Sequence, residues 1–236
     1  MADAVVNLAP GQLLSALELG DSFFPSGRYT LSHGLESFVE HSRDIGADKL
    51  QLLLADYLRY GIGSSEAVAV ATANRAARSD DIEILIEVDE LLFALKLPSE
   101  TSAASTRSGK QVLSTIGRLV DDNIVAAYEL AVAEGLAPAN HAVVIGMVSA
   151  LWGLLPEQAV AMELHAYLTG LLGAALRLIR MDHVDAQLIL RNLSDTILSV
   201  TADAVQLDYR DMSAFAPSIE IMQMQHEHSH LRLFAS

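Results

Sequence analysis

Three histidines at alternate positions, His226, His228 and His230, are the densest set of metal-capable side chains in the sequence. In an extended segment their imidazoles would share one side and could offer three nitrogens to nickel, copper or zinc. In a helix, His226 and His230 would stand one turn apart and make a two-nitrogen site. The same segment closes on Leu231-Arg232-Leu233-Phe234, a cluster suited to docking on a partner protein. Burial of Leu231, Leu233 and Phe234 would stabilise such a complex at roughly 25 cal/mol per Å² of apolar area. Mobile imidazoles without a supporting shell make a poor selective metal site. Docking is therefore the first reading of residues 218–236, and a weak metal site on His226, His228 and His230 is the second.

Other combinations fall short of chemistry. Arg107-Ser108-Gly109-Lys110 invites a phosphate-loop reading, but Ala104 and Ser105 stand where the opening glycine belongs, and Gln111 replaces the required Ser or Thr. His33, His41, His141, His165 and His183 are scattered, and none pairs at helical spacing with a second metal ligand in an obvious motif. A lone His165 in an apolar helix is expected to be a hydrogen-bonded core residue. Ser32-His33, Asp21 and Glu36 are close in sequence, yet nothing supplies the strained nucleophile turn and oxyanion hole of a triad. Arg177 is the one charge in an apolar turn, so it must reach the surface, pair, or meet a partner.

The elements that position these residues all read at helical period. Leu13, Leu14, Leu17 and Leu19 form a first short helix ending at Gly20. The connector Asp21 to Arg28 carries Phe23 and Phe24, which are expected to pack on the core or on another chain, and Pro25-Ser26-Gly27 marks a turn. A short helix follows near Ser32, with Glu36 near its positive end. Leu50, Leu53, Leu54, Tyr57 and Leu58 stripe a helix from Asp48 that Gly61 and Gly63 stop. Further helices are predicted over Glu66 to Arg78, after the Ser79-Asp80-Asp81 cap to Pro98, over Ser99 to Val120, and over Asp121 to Ala133. Asn140 caps the next. The segment from Glu157 to Ile179 is apolar nearly all round, which places it at the centre of a bundle, with Gly170, Gly173 and Ala174 admitting a close neighbour. Ile189, Leu193, Ile197, Val200, Ala204 and Leu207 stripe the last long helix. No segment alternates as a strand, and no repeat or linker divides the chain. The expectation is one all-α domain over residues 1–236, a multi-helix bundle with a buried central apolar helix and a carboxyl-terminal docking tail.

Composition narrows the partners. Of 236 residues, 30 are acidic and 15 basic, for a net charge of −15, which repels phosphate backbones and argues against nucleic acid. With no cysteine there are no disulfides, thiolate metal sites or cysteine nucleophiles. The start Met1-Ala2-Asp3-Ala4 lacks the basic and apolar regions of a signal peptide, and the apolar runs Ala142–Leu155 and Ala166–Leu176 are short for a membrane span. A soluble cytoplasmic protein is expected, with no membrane partner.

Taken in order, the motifs resemble those of the UreF-type urease accessory proteins over nearly the whole chain. Phe24-Pro25-Ser26-Gly27 followed by Ser32-His33-Gly34-Leu35-Glu36 is similar to the family's Leu-Pro-x-Gly-x-Phe-x-Tyr-Ser-x-Gly-Leu-Glu. Asn140-His141 precedes a helix containing Gly146, and Ala174-Ala175-Leu176-Arg177-Leu178 resembles Ala-x-Arg-Leu, with Gln187 beyond it. Met224-x-His226-Glu227 and Arg232-Leu233-Phe234-x-Ser236 resemble the family's closing motif. The sequence departs from the pattern at Leu31, where a second aromatic is usual, and at Arg180-Met181-Asp182-His183, in place of Pro-Leu-Gly-Gln. The resemblance implies an all-helical, non-enzymatic adaptor in nickel delivery to urease. It implies a homodimer that binds UreD (UreH in some organisms) through its tail and recruits the nickel-carrying GTPase UreG to the urease apoprotein. Nickel would pass through the complex, with no cofactor tightly bound. Gly27, Gly34, Glu36, Arg177, His226, Glu227, Arg232, Leu233 and Phe234 are the partner-binding residues it implies.

Overall fold

The structure, a computed structural model, describes residues 9–27, 31–42, 45–227 and 233–234. Among these it is all-α, with no strand. The helices are α1 (Pro10–Gly20), α2 (Leu35–His41), α3 (Ala47–Asp56), α4 (Glu66–Arg78), α5 (Ile82–Leu95) and α6 (Ser99–Ile116). They continue as α7 (Asn123–Ala133), α8 (His141–Leu151), α9 (Pro156–Leu178), α10 (His183–Asn192), α11 (Ser194–Ala204) and α12 (Pro217–His226). Local chemistry sets several of these boundaries. The Asp81 carboxylate accepts the Ile84 amide at the start of α5, Asp122 caps α7 in the same way, and Pro156 and Pro217 open α9 and α12. The expected helix from Asp48 to the glycines is α3 followed by a π turn at Tyr57–Gly61 and a 3₁₀ turn at Ile62–Ser64.

The centre of the bundle is the pair α4 and α8, not the long apolar helix α9. Val68 to Ala71 on α4 and Val143 to Val148 on α8 have almost no exposed surface. Their axes approach closely because α8 carries Gly146, where a β-carbon would stand 2.5 Å from the Val70 carbonyl oxygen. Small side chains thus allow burial all round. Helix α9 is long and apolar enough to cross a membrane by length and composition, but it packs on α4, α8 and α11 and also meets α1, α2 and α10. Part of its surface is open, and among the described residues no atom lies within 4 Å of a β-carbon built at Gly170 or Gly173, so no neighbour approaches closely at those two glycines, while Ala174 is buried.

One further expectation changes. The stripe from Ile189 to Leu207 is not one helix: the chain bends at Leu193, which ends α10 and begins α11, and both pieces pack on α9. Helix α1 ends at Gly20 as its pattern suggests, with Leu13, Leu14 and Leu17 exposed and Leu19 buried. The Gly109-Lys110 pair lies inside α6, which rules out a strand-to-helix phosphate loop.

Candidate functional site

The carboxyl-terminal segment is fastened to the body of its own chain. Gly34 caps α2 in the left-handed region at φ 85°, and a β-carbon there would meet Gln223 Cγ at 2.7 Å and Gln223 N at 3.1 Å. Glycine therefore lets α12 lie against the start of α2. Gln223 Nε2 then donates to the His33 carbonyl at 3.1 Å and to the Tyr57 hydroxyl at 3.3 Å. One turn on, His226 is 1% exposed, with Nε2 3.0 Å from Glu36 Oε2 and Nδ1 3.0 Å from Glu100 Oε2. Glu227 accepts the Glu100 amide at 3.1 Å. The Glu36 carboxylate also accepts the Leu233 amide at 2.8 Å and the Phe234 amide at 3.2 Å. Phe234 is 5% exposed, and the Arg177 guanidinium carbon stands 5.5 Å from its ring centre, a cation–π arrangement.

This geometry corrects the picture of an apolar tail left free. Phe234 is buried within the chain, Ile219 is buried on the inner side of α12, and only Ile221, Met224 and Leu233 of the tail's described apolar residues are exposed. Both ring nitrogens of His226 face carboxylates, Glu36 on one side and Glu100 on the other. His228, His230 and Arg232 lie outside the described residues. Among the described residues no group of three or more His, Asp or Glu side chains is placed to hold a metal ion.

Arg177 also rims a cleft of about 530 Å³ beside α9, shared with Gly27, His33, His141, His165 and Tyr167. His165 faces this cleft and is exposed, contrary to a core role. Phe24 packs edge-on against Trp152 with ring centres 6.2 Å apart, whereas Phe23 is 94% exposed at the cleft mouth. Gly27 has φ 73° and open space around it, so its glycine serves the turn. Tyr167 stacks at 4.4 Å on His33, and its hydroxyl is 3.1 Å from the Tyr57 hydroxyl, whose pKa burial pushes up.

Beneath the cleft lie three groups that resemble a triad in composition. His141 Nδ1 is 2.9 Å from Ser108 Oγ, and Nε2 is 3.7 Å from Glu163. Ser108, however, donates its single proton to the Ser26 carbonyl at 2.6 Å, so it accepts from the imidazole and is not activated by it. The trio ties the Pro25-Ser26-Gly27 turn to α6 and α8.

Sequence reasoning missed a second buried network. Asp89, with no exposed surface, accepts the Tyr128 hydroxyl at 2.7 Å, the Ala139 and Asn140 amides at 2.6 and 2.9 Å, and Asn140 Nδ2 at 2.8 Å. Asn140 thus spends its side chain on Asp89 and makes no side-chain cap on α8. Burial pushes the Asp89 carboxyl above the usual range, opposed by these hydrogen bonds. The signal available was the polar Asp89 within the apolar stripe of α5.

The UreF family model matches residues 46–194. A urease accessory protein UreF from Trichodesmium erythraeum (strain IMS101) is 32% identical over 232 residues, 98% of this chain and 100% of its own length. The chain belongs to the UreF family. A second UreF, UreF 2 of Brucella canis, is 30% identical over 95% of this chain and 92% of its own length. The UreF of Bacillus sp. (strain TB-90) is 29% identical over 95% of this chain and 99% of its own. Membership in the UreF family assigns the chain a urease accessory role, and the Gly34, Glu36, Arg177, His226 and Phe234 that the resemblance singled out meet in one place in this UreF-type fold.

Proposed function

We propose that this chain is a non-enzymatic urease maturation factor that bridges UreD/UreH and the nickel-carrying GTPase UreG on the urease apoprotein. It acts in the cytoplasm as a homodimer, and nickel passes through the assembly without a tightly bound site on this chain. The observation that carries the reading is the match, over nearly the full length, to proteins named as urease accessory protein UreF. Two surfaces support it. Ile221 and Met224, three residues apart on α12, and Leu233, 74% exposed, offer apolar area beside the fastened tail and suit UreD/UreH. The cleft rimmed by Gly27, Phe23 and Arg177 suits UreG, and the net charge of −15 favours basic partner surfaces. A tagged chain should co-purify UreD/UreH, UreG and the urease apoprotein, and deletion from Ser218 onward should abolish capture of UreD/UreH while α4 and α8 stay folded. Retained capture by the deleted chain would overturn the tail's part in it.

A second reading has one observation in its favour, the position of Arg177 on the cleft rim. An arginine supplied in trans can stabilise phosphoryl transfer, so the chain would regulate the UreG cycle. UreG hydrolysing GTP at an unchanged or slower rate with saturating chain would reject an activating role.

A further inference from the structure

We infer that Glu36 is the positioning residue of the carboxyl-terminal segment: it organises His226, Leu233 and Phe234 from inside the chain and does not itself meet a partner. This deepens the adaptor reading and rests on it only where a partner is used as a probe.

A carboxylate has two oxygens and about four acceptor sites, and no proton to donate when ionised. Three donors from the last eleven residues converge on this one: His226 Nε2 and the Phe234 amide on Oε2, and the Leu233 amide on Oε1. Glu36 is buried, and a buried charge persists where hydrogen-bond donors surround it. Its oxygens point into the chain, so a partner could not reach them without first lifting the tail. The grip is doubled from α6, where Glu100 meets Nδ1 of the same imidazole and Glu227 receives the Glu100 amide. Closure reaches the cleft as well, because Phe234 lies against Arg177 on the cleft rim. Glu36 therefore sets which apolar side chains the tail shows outward, Leu233 among them, and which it hides, Phe234 above all.

Hydrogen–deuterium exchange on the full-length Glu36→Gln variant tests this without any partner. The amide keeps one acceptor oxygen but turns an NH₂ toward the converging donors. The Leu233 and Phe234 amides should exchange about tenfold faster or more, while core amides of α4 and α8 hold their protection. Glu100→Gln, a change at the more exposed partner of His226, should act in the same direction more mildly and serves where the Glu36 variant loses its core protection. Unchanged exchange at Leu233 and Phe234 in folded variants would overturn the inference. A double-mutant cycle of Glu36→Gln with Leu233→Ala, read as affinity for purified UreD/UreH, separates positioning from contact. If Glu36 acts by presenting the tail's outward side chain, its substitution changes affinity less than twofold once the Leu233 side chain is gone. Fully additive losses would mean that Glu36 touches the partner and would overturn the inference. Wild-type chain that fails to bind UreD/UreH contradicts the adaptor reading, and the exchange result then decides the role of Glu36 alone.

Discussion

Replacing Gly34 with alanine should loosen α12 far more than a simple backbone penalty would. Gly34 sits at φ 85°, where an L-residue costs roughly 1–2 kcal/mol. The new β-carbon would also stand 2.7 Å from Gln223 Cγ and 3.1 Å from Gln223 N. The side chain cannot simply swing aside, since Gln223 Nε2 is committed to the His33 carbonyl and the Tyr57 hydroxyl, and the backbone nitrogen moves only with the helix. Overpacking of this kind costs roughly 1–3 kcal/mol, so the whole loss should be about 2–5 kcal/mol. Gly27→Ala is the control, because Gly27 has φ 73° but no atom within 4 Å of the added carbon. It should lose only the backbone part, about 1–2 kcal/mol. Urea unfolding of the two variants isolates the steric part as their difference, and Gly34→Ala with Gln223→Ala should be less destabilised than the two single losses together. Equal losses at Gly34 and Gly27 would refute the reasoning, since α12 would then not lean on the start of α2.

Gly146→Ala should destabilise the fold by about 1–2 kcal/mol despite the better helix propensity of alanine, because its β-carbon would meet the Val70 carbonyl between two buried helices; thermal unfolding checks the sign. Asp89→Asn should cost roughly 1–3 kcal/mol, since whichever oxygen is replaced, the amide nitrogen would face two donors, those of Tyr128 and Ala139 or the two of Asn140. The gap should depend on pH. Burial raises the Asp89 carboxyl above its ordinary 3.8, so the folded chain keeps that proton where the unfolded chain has lost it. Wild type loses this increment as the pH rises from 3.8 through the folded value, and denaturant midpoints of wild type and variant should draw together across that window. Phe23→Ser should leave stability within about 0.5 kcal/mol, because the ring is exposed, while lowering capture of UreG in a pull-down.

Helical period made most of the elements legible, and capping chemistry made their starts legible where the cap was local, as at Asp81 and Pro156. Period says less about depth. Helix α9 is rich in leucine and reads as central, yet α4, with Thr72 and Asn74 among its alanines, is the more deeply buried because small side chains let two backbones meet around it. The bend at Leu193 carries neither glycine nor proline, and the apolar stripe runs through it unbroken, so nothing local announced it. The tail's unusual make-up was legible by composition and by resemblance. Its acceptors were not, because Glu36 lies 190 residues from His226 and Glu100 lies 126 away, and no spacing rule connects such pairs. For the same reason the Ser108–His141 pair and the four donors on Asp89 emerged only with the fold.

The nickel content of urease tests the central claim most directly. Urease would be purified from cells producing the apoprotein, UreD/UreH and UreG with nickel supplied, in the presence and absence of this chain, and its metal measured by mass spectrometry. Nickel-loaded urease with the chain, and largely metal-free urease without it or with the tail deleted from Ser218, is the result expected of a UreF-type adaptor. Equal nickel occupancy in both preparations would contradict it.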